Sequence, residues 1–148
     1  MRWILGLLLV AGCDDGNTGG DGADAGSAAP PAGDTYVAGL EKAGGEGQLS
    51  VRLMAATPAP PELGDNTWTL EVVDAAGEPR SGCTVTIAPR MPAHGHGTNR
   101  PTVVTEAEPG DYSATPLDLF MPGLWEIPVA VTCGAVEDRA LFEFWIEG

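Results

Sequence analysis

Apolar side chains fall on alternate positions along most of this chain, in short runs divided by Gly, Pro, Asn and Asp. Leu49, Val51 and Leu53 alternate with Ser50 and Arg52. Trp68, Leu70 and Val72 alternate with Thr67, Thr69 and Glu71, and Cys83, Val85 and Ile87 with Thr84 and Thr86. Trp125, Ile127, Val129, Val131 and Cys133 share a face, as do Phe142, Phe144 and Ile146. A period of two marks an extended chain with one face buried, because successive side chains of a strand point to opposite sides. Pro58, Pro60 and Pro61 close the first run. Asp74 to Pro79 and Glu108-Pro109-Gly110-Asp111 read as turns. Weaker strand signals lie at Tyr36 to Leu40, around Val103-Val104, and from Tyr112 to Phe120. The pattern predicts an all-β domain of about seven to eight strands, a sandwich or a barrel. Pro128 lacks an N–H, which predicts a sheet edge or a bulge at that point.

The N-terminus reads differently. Arg2 precedes an almost wholly apolar run from Trp3 to Val10, followed by Ala11-Gly12-Cys13. This is the pattern of a signal peptide, too short to span a bilayer as a helix. Leu9-Val10-Ala11-Gly12-Cys13 resembles a bacterial lipobox, which implies a lipid on Cys13; an ordinary secretory signal with an incidental Cys is the alternative. Residues 14–33 are rich in Gly, Ala and Asp and hold no Leu, Ile, Val or aromatic residue. They predict a flexible acidic tether. The organisation expected is therefore a signal peptide over 1–12, a lipidated Cys13 and tether over 13–35, and a β domain over 36–148. That places the protein in the bacterial cell envelope, extracytoplasmic and held to a membrane by its N-terminal lipid.

The other two cysteines, Cys83 and Cys133, both fall on buried faces by alternation. An oxidising compartment lets a disulfide persist, and two inward cysteines can meet across a sandwich core. Trp68 and Trp125 are the candidates to pack beside such a bridge, as a Trp does in immunoglobulin domains. Two buried thiols or metal thiolates are the alternative. With Lys and Arg totalling seven and a net charge of −14, the chain has no electrostatic footprint for nucleic acid.

Both histidines of the chain lie in Met91-Pro92-Ala93-His94-Gly95-His96-Gly97-Thr98. Imidazole is a ligand for copper and zinc, and thioether sulfur favours copper, above all Cu(I). Met91, His94 and His96, with Met121 from the next Met-Pro pair, make a candidate copper site. Glu106 or Asp118 would complete a Zn or Cu(II) version. In the alternative, the methionines plug strand ends and the histidines bond loop backbone. No Gly-x-Ser-x-Gly or nucleotide-binding Gly loop is present, and a Cys83–Cys133 bridge would leave neither of them as a nucleophile, so the chain reads as a non-enzyme with no catalytic residues.

Asn66-x-Trp68, Met91-Pro92-x-His94-Gly95-His96-Gly97, Pro109-Gly110-Asp111-Tyr112 and Phe120-Met121-Pro122-Gly123-Leu124-Trp125-Glu126 occur in that order. Together they resemble the YtkA-like domain, related to the FixH group, over roughly Leu49 to Ile146. The resemblance implies an immunoglobulin-like antiparallel β-sandwich, often on lipoproteins or membrane-anchored proteins. FixH-type relatives are linked to assembly of copper-containing respiratory oxidases. The FixH transmembrane anchor has no counterpart here, and the lipid on Cys13 would replace it. Two functions are expected. One is copper capture and hand-over to an acceptor through the Met/His loop. The other is a non-catalytic interaction module for an envelope protein, with no metal and the loop as a structural hinge.

Overall fold

The computed structural model describes residues 32–148. The signal peptide, the lipobox with Cys13 and most of the tether lie outside the described residues. Ten strands follow one another: β1 (Leu40–Ala43), β2 (Leu49–Thr57), β3 (Gly64–Asp74), β4 (Thr84–Ile87), β5 (Arg90–Met91), β6 (His96–Gly97), β7 (Val103–Glu108), β8 (Asp111–Leu119), β9 (Gly123–Cys133) and β10 (Val136–Ile146). One sheet has the order β1-β2-β3-β8-β7. The other has β10-β9-β5-β6, with β4 also paired to β9. All pairings are antiparallel. With β2, β3, β8 and β7 facing β4/β5, β9 and β10, this is the connectivity of an immunoglobulin constant-type sandwich, with β1 added at one edge.

The alternating residues make the core. Trp68, Leu70 and Val72 of β3 are fully buried, as are Trp125, Ile127 and Val129 of β9 and Phe142 and Ile146 of β10. The sheets interlock where Trp68 meets Phe142 and Phe144 edge-on, at centroid distances of 5.6 and 5.7 Å. Such T-shaped contacts suit the ring quadrupoles. The patch Tyr36 to Leu40 is mostly outside the sheet, since β1 starts at Leu40. The Tyr36 hydroxyl accepts the Ala56 N–H instead.

Cys83 and Cys133 form the disulfide. The bridge does not cross the core as expected. Thr84 pairs with Thr132 in the β4–β9 ladder, so Cys83 stands directly opposite Cys133 in the same sheet, with Cα atoms 4.4 Å apart. Neither Trp packs beside it. Trp125 lies toward the far end of β9, and Trp68 sits against Phe142 and Phe144, whose partners are Ile127 and Trp125. Tyr112 holds the bridge end instead: its hydroxyl accepts the Cys83 N–H and donates to the Arg80 carbonyl. Burial pushes this phenol above its ordinary pKa, against the Cys83 N–H bond that pulls it down.

Pro128 is at neither an edge nor a bulge. β9 is flanked by β10 on one side and by β4 and β5 on the other, and its register with β10 is unbroken. Val129 pairs with Ile87 and Glu126 with Arg90, so Ala88 falls opposite Pro128. The Ala88 N–H reaches the Pro128 carbonyl. The reciprocal bond, for which proline has no donor, falls in the break between β4 and β5.

A buried carboxylate ties the two sheets together at another corner. Asp138, on the inward face of β10, accepts backbone N–H bonds from Glu46 (3.0 Å), Gln48 (2.8 Å), Leu49 (3.0 Å) and Arg139 (2.8 Å). The β1–β2 turn wraps this group so closely that a Cβ on Gly44 would lie 2.1 Å from it. Burial disfavours the ionised form. The N–H donors of Glu46, Leu49, Arg139 and Gln48 outweigh it and hold the carboxyl below its usual range.

Candidate metal centre

The histidine stretch is a hairpin, not an open loop. Arg90 pairs with Gly97 and Met91 with His96. The Met91 carbonyl accepts the N–H groups of His94 (3.1 Å) and Gly95 (3.0 Å). Gly95 sits at φ +69°, the left-handed region that favours glycine. Residues directly opposite in an antiparallel pair share a face with Cβ atoms about 5 Å apart, so Met91 and His96 project to the same side. Met91 is turned inward and only 1% exposed. Its methyl lies against Gly123, where a Cβ would be 2.9 Å away.

The hairpin sits beside the turn between β8 and β9. The His96 ring stacks on Phe120 at 5.5 Å and 22°. Phe120 meets Trp125 edge-on at 5.7 Å, and Trp125 Nε1 donates to the Met121 carbonyl at 2.9 Å. The Met121 side chain is half-buried against the core. Met91, His94 and His96 therefore share one hairpin, with Met121 on the neighbouring turn. Phe120, on which His96 stacks, and Trp125, which holds the Met121 carbonyl, link the hairpin to that turn. Their signal was present in the run Phe120 to Trp125, but alternation alone ranks Phe120 no higher than any other strand end.

The two imidazoles have centroids 5.6 Å apart. Rings bound to one ion through nitrogen, at bond lengths near 2.0–2.1 Å and a tetrahedral angle, would have centroids roughly 5 Å apart. His96 Nδ1 lies 3.0 Å from the Gly97 carbonyl oxygen. That oxygen can only accept, so Nδ1 carries the proton of the neutral ring and Nε2 keeps its lone pair. A backbone-held tautomer of this kind is what a nitrogen ligand requires.

The carboxylates named as completing ligands do not join this group. Glu106 binds the Gly82 and Gly110 N–H groups beside Cys83, at the disulfide end. Along β9 that end and the hairpin are seven residues apart, from Cys133 to Glu126, or about 23 Å at strand rise. Asp118 is buried opposite Asp65, and both are bound by Arg100. Glu126 is paired with Arg90. Among the described residues, no three of His, Cys, Asp and Glu converge closely enough to hold a metal ion. Any ion held by the hairpin would therefore draw on thioether sulfur, which fits copper better than zinc.

Asn66 organises the Pro-rich segment. It is 1% exposed, its amide nitrogen donates to the carbonyls of Glu62 and Gly64, and its oxygen accepts the Glu62 N–H. No curated protein and no solved structure is significantly similar to the chain. A family model does match, over residues 46–130, from the β1–β2 turn through the hairpin and Met121 into β9. The match covers more than half of the chain, and the protein belongs to the YtkA-like family.

Proposed function

We propose that this protein captures copper as Cu(I) at Met91, His94, His96 and Met121 and passes it to an acceptor without catalysing a reaction. The observation that carries this reading is the hairpin pair: His96, with Nε2 left free by the Gly97 carbonyl, lies across from Met91 and 5.6 Å from the His94 ring. Thioether and imidazole together favour a soft monovalent ion. His94 is exposed, so an acceptor can displace ligands one at a time from the solvent side. We also propose that the chain is lipidated at Cys13 and works outside the cytoplasm; the disulfide suits an oxidising compartment.

The test is anaerobic competition for Cu(I) between the full chain and a chromogenic chelator. One Cu(I) should bind per chain, and His94→Ala with His96→Ala should abolish binding. Equal affinity in that double variant would refute the proposal. A second reading, an interaction module with no metal, draws on the near-complete burial of Met91. It requires no uptake by the wild type and a loss of folding in the double variant.

A further inference from the structure

A second concave surface lies at the same end of the sandwich. Tyr36, Pro60, Leu63 and Trp145 line a cleft of about 490 Å³ whose rim carries Glu62 and Glu147. Leu63 is 49% exposed and Trp145 45% exposed. Two of the six exposed large apolar side chains among the described residues thus lie together in one cleft. Exposed apolar surface that is clustered and rimmed by polar groups marks an interaction site.

Charge selects the partner. No Lys or Arg lines the cleft. Asp34, on its floor, is bound by Lys42 and by the Glu143 N–H, which leaves Glu62 and Glu147 as the charges presented outward. The whole chain carries −14, so an anionic lipid surface is repelled. A cationic side chain gains twice, from the carboxylates and from the exposed face of Trp145.

We infer that this cleft docks a partner polypeptide that presents an Arg or Lys beside an apolar side chain. The apolar group fills the Pro60–Leu63 wall and the cation reaches Trp145 and the two glutamates. The cleft also adjoins the Met121 turn. Gly64 pairs with Leu119 and Ile146 with Gly123, and a Cβ on Gly148 would touch Pro122 at 3.2 Å. A partner seated here would lie next to the hairpin, although the inference stands without any metal there.

The test is a titration of the ¹⁵N-labelled, metal-free full chain with a short synthetic peptide that alternates Arg with Leu, against a Glu/Leu counterpart. The Trp145 indole N–H and the amides of Glu62, Leu63 and residues 145–147 should shift with the basic peptide alone. Trp145→Ala should weaken binding about tenfold or more, and so should Glu62→Gln with Glu147→Gln. Shifts spread over the acidic surface would overturn the inference, as would equal binding of the acidic peptide or unchanged affinity in both variants.

Discussion

Removing the Asp138 carboxylate should unfasten the two sheets at one corner. The side chain satisfies four backbone donors. Only the Leu49 amide is buried; Glu46, Gln48 and Arg139 are exposed residues whose N–H groups can turn to water. In Asp138→Ala the Leu49 donor loses a charge-assisted bond and finds no replacement, at about 2 kcal/mol, and the other three recover most of theirs, leaving about 1 kcal/mol between them. The sum, about 3 kcal/mol, corresponds to roughly 12 °C in Tm for a domain of this size. Asp138→Asn keeps one acceptor oxygen but turns an NH₂ toward one pair of donors, so it should fall between. The pH dependence follows from the lowered native pKa. The stabilisation is complete above the unfolded carboxyl value of about 4 and is lost as pH falls through the native value. Melts of wild type and Asp138→Asn should therefore differ at pH 7 and converge in strong acid. Gly44→Ala drives a Cβ into the same carboxylate, so its cost should shrink in the Asp138→Ala background. An Asp138→Ala variant within about 1 kcal/mol of wild type at pH 7 would refute the reasoning, as would a gap independent of pH.

Two further outcomes are expected from denaturant midpoints. Asn66→Ala should cost about 2–3 kcal/mol, and Asn66→Asp more at neutral pH, because a carboxylate would then face the carbonyl oxygens of Glu62 and Gly64; an Asp variant as stable as wild type would contradict the assignment. Cys83→Ala with Cys133→Ala opens a loop of sequence separation 50 and should lower stability by about 4 kcal/mol, with an undiminished midpoint counting against the bridge as a staple.

Alternation made the strands legible, because burial of one face imposes a period of two on β2, β3, β9 and β10 alike. It could not say which sheet an inward residue belongs to. Cys83 and Cys133 face the same core whether they sit in one sheet or in two, so cross-core and cross-strand bridges look identical in the sequence. Pro128 misled for a related reason. The direction of its missing N–H depends on register, which is fixed only when β4 and β5 are both seen to pair with β9. Asp138 did leave a trace. It shares the even-numbered face of Ala140, Phe142, Phe144 and Ile146, and a carboxylate in that row has to be answered by donors. The donors come from a Gly-rich turn some ninety positions earlier, which no local pattern connects to it.

The candidate metal residues were legible as chemistry and illegible as geometry for one physical reason. The register that pairs Val85 with Val131 and Ile87 with Val129 continues unchanged to Arg90 opposite Glu126. Met91 is therefore the next inward odd position after Val85, Ile87 and Pro89, and it inherits the core face. His96 inherits that side from Met91 across the hairpin, and Phe120 closes against it. The group is thus the last rung of the core ladder, where apolar packing gives way to imidazole. In the proposed reading this divides the work of the ligands. Met91 is held in place by the same burial that holds the sandwich together, and His96 by its stack and its carbonyl bond. His94 rides on the exposed turn, where Gly95 gives the backbone its bend. A site built this way has its fixed donors on the inside and its exchangeable donor facing solvent, the order that capture followed by hand-over needs.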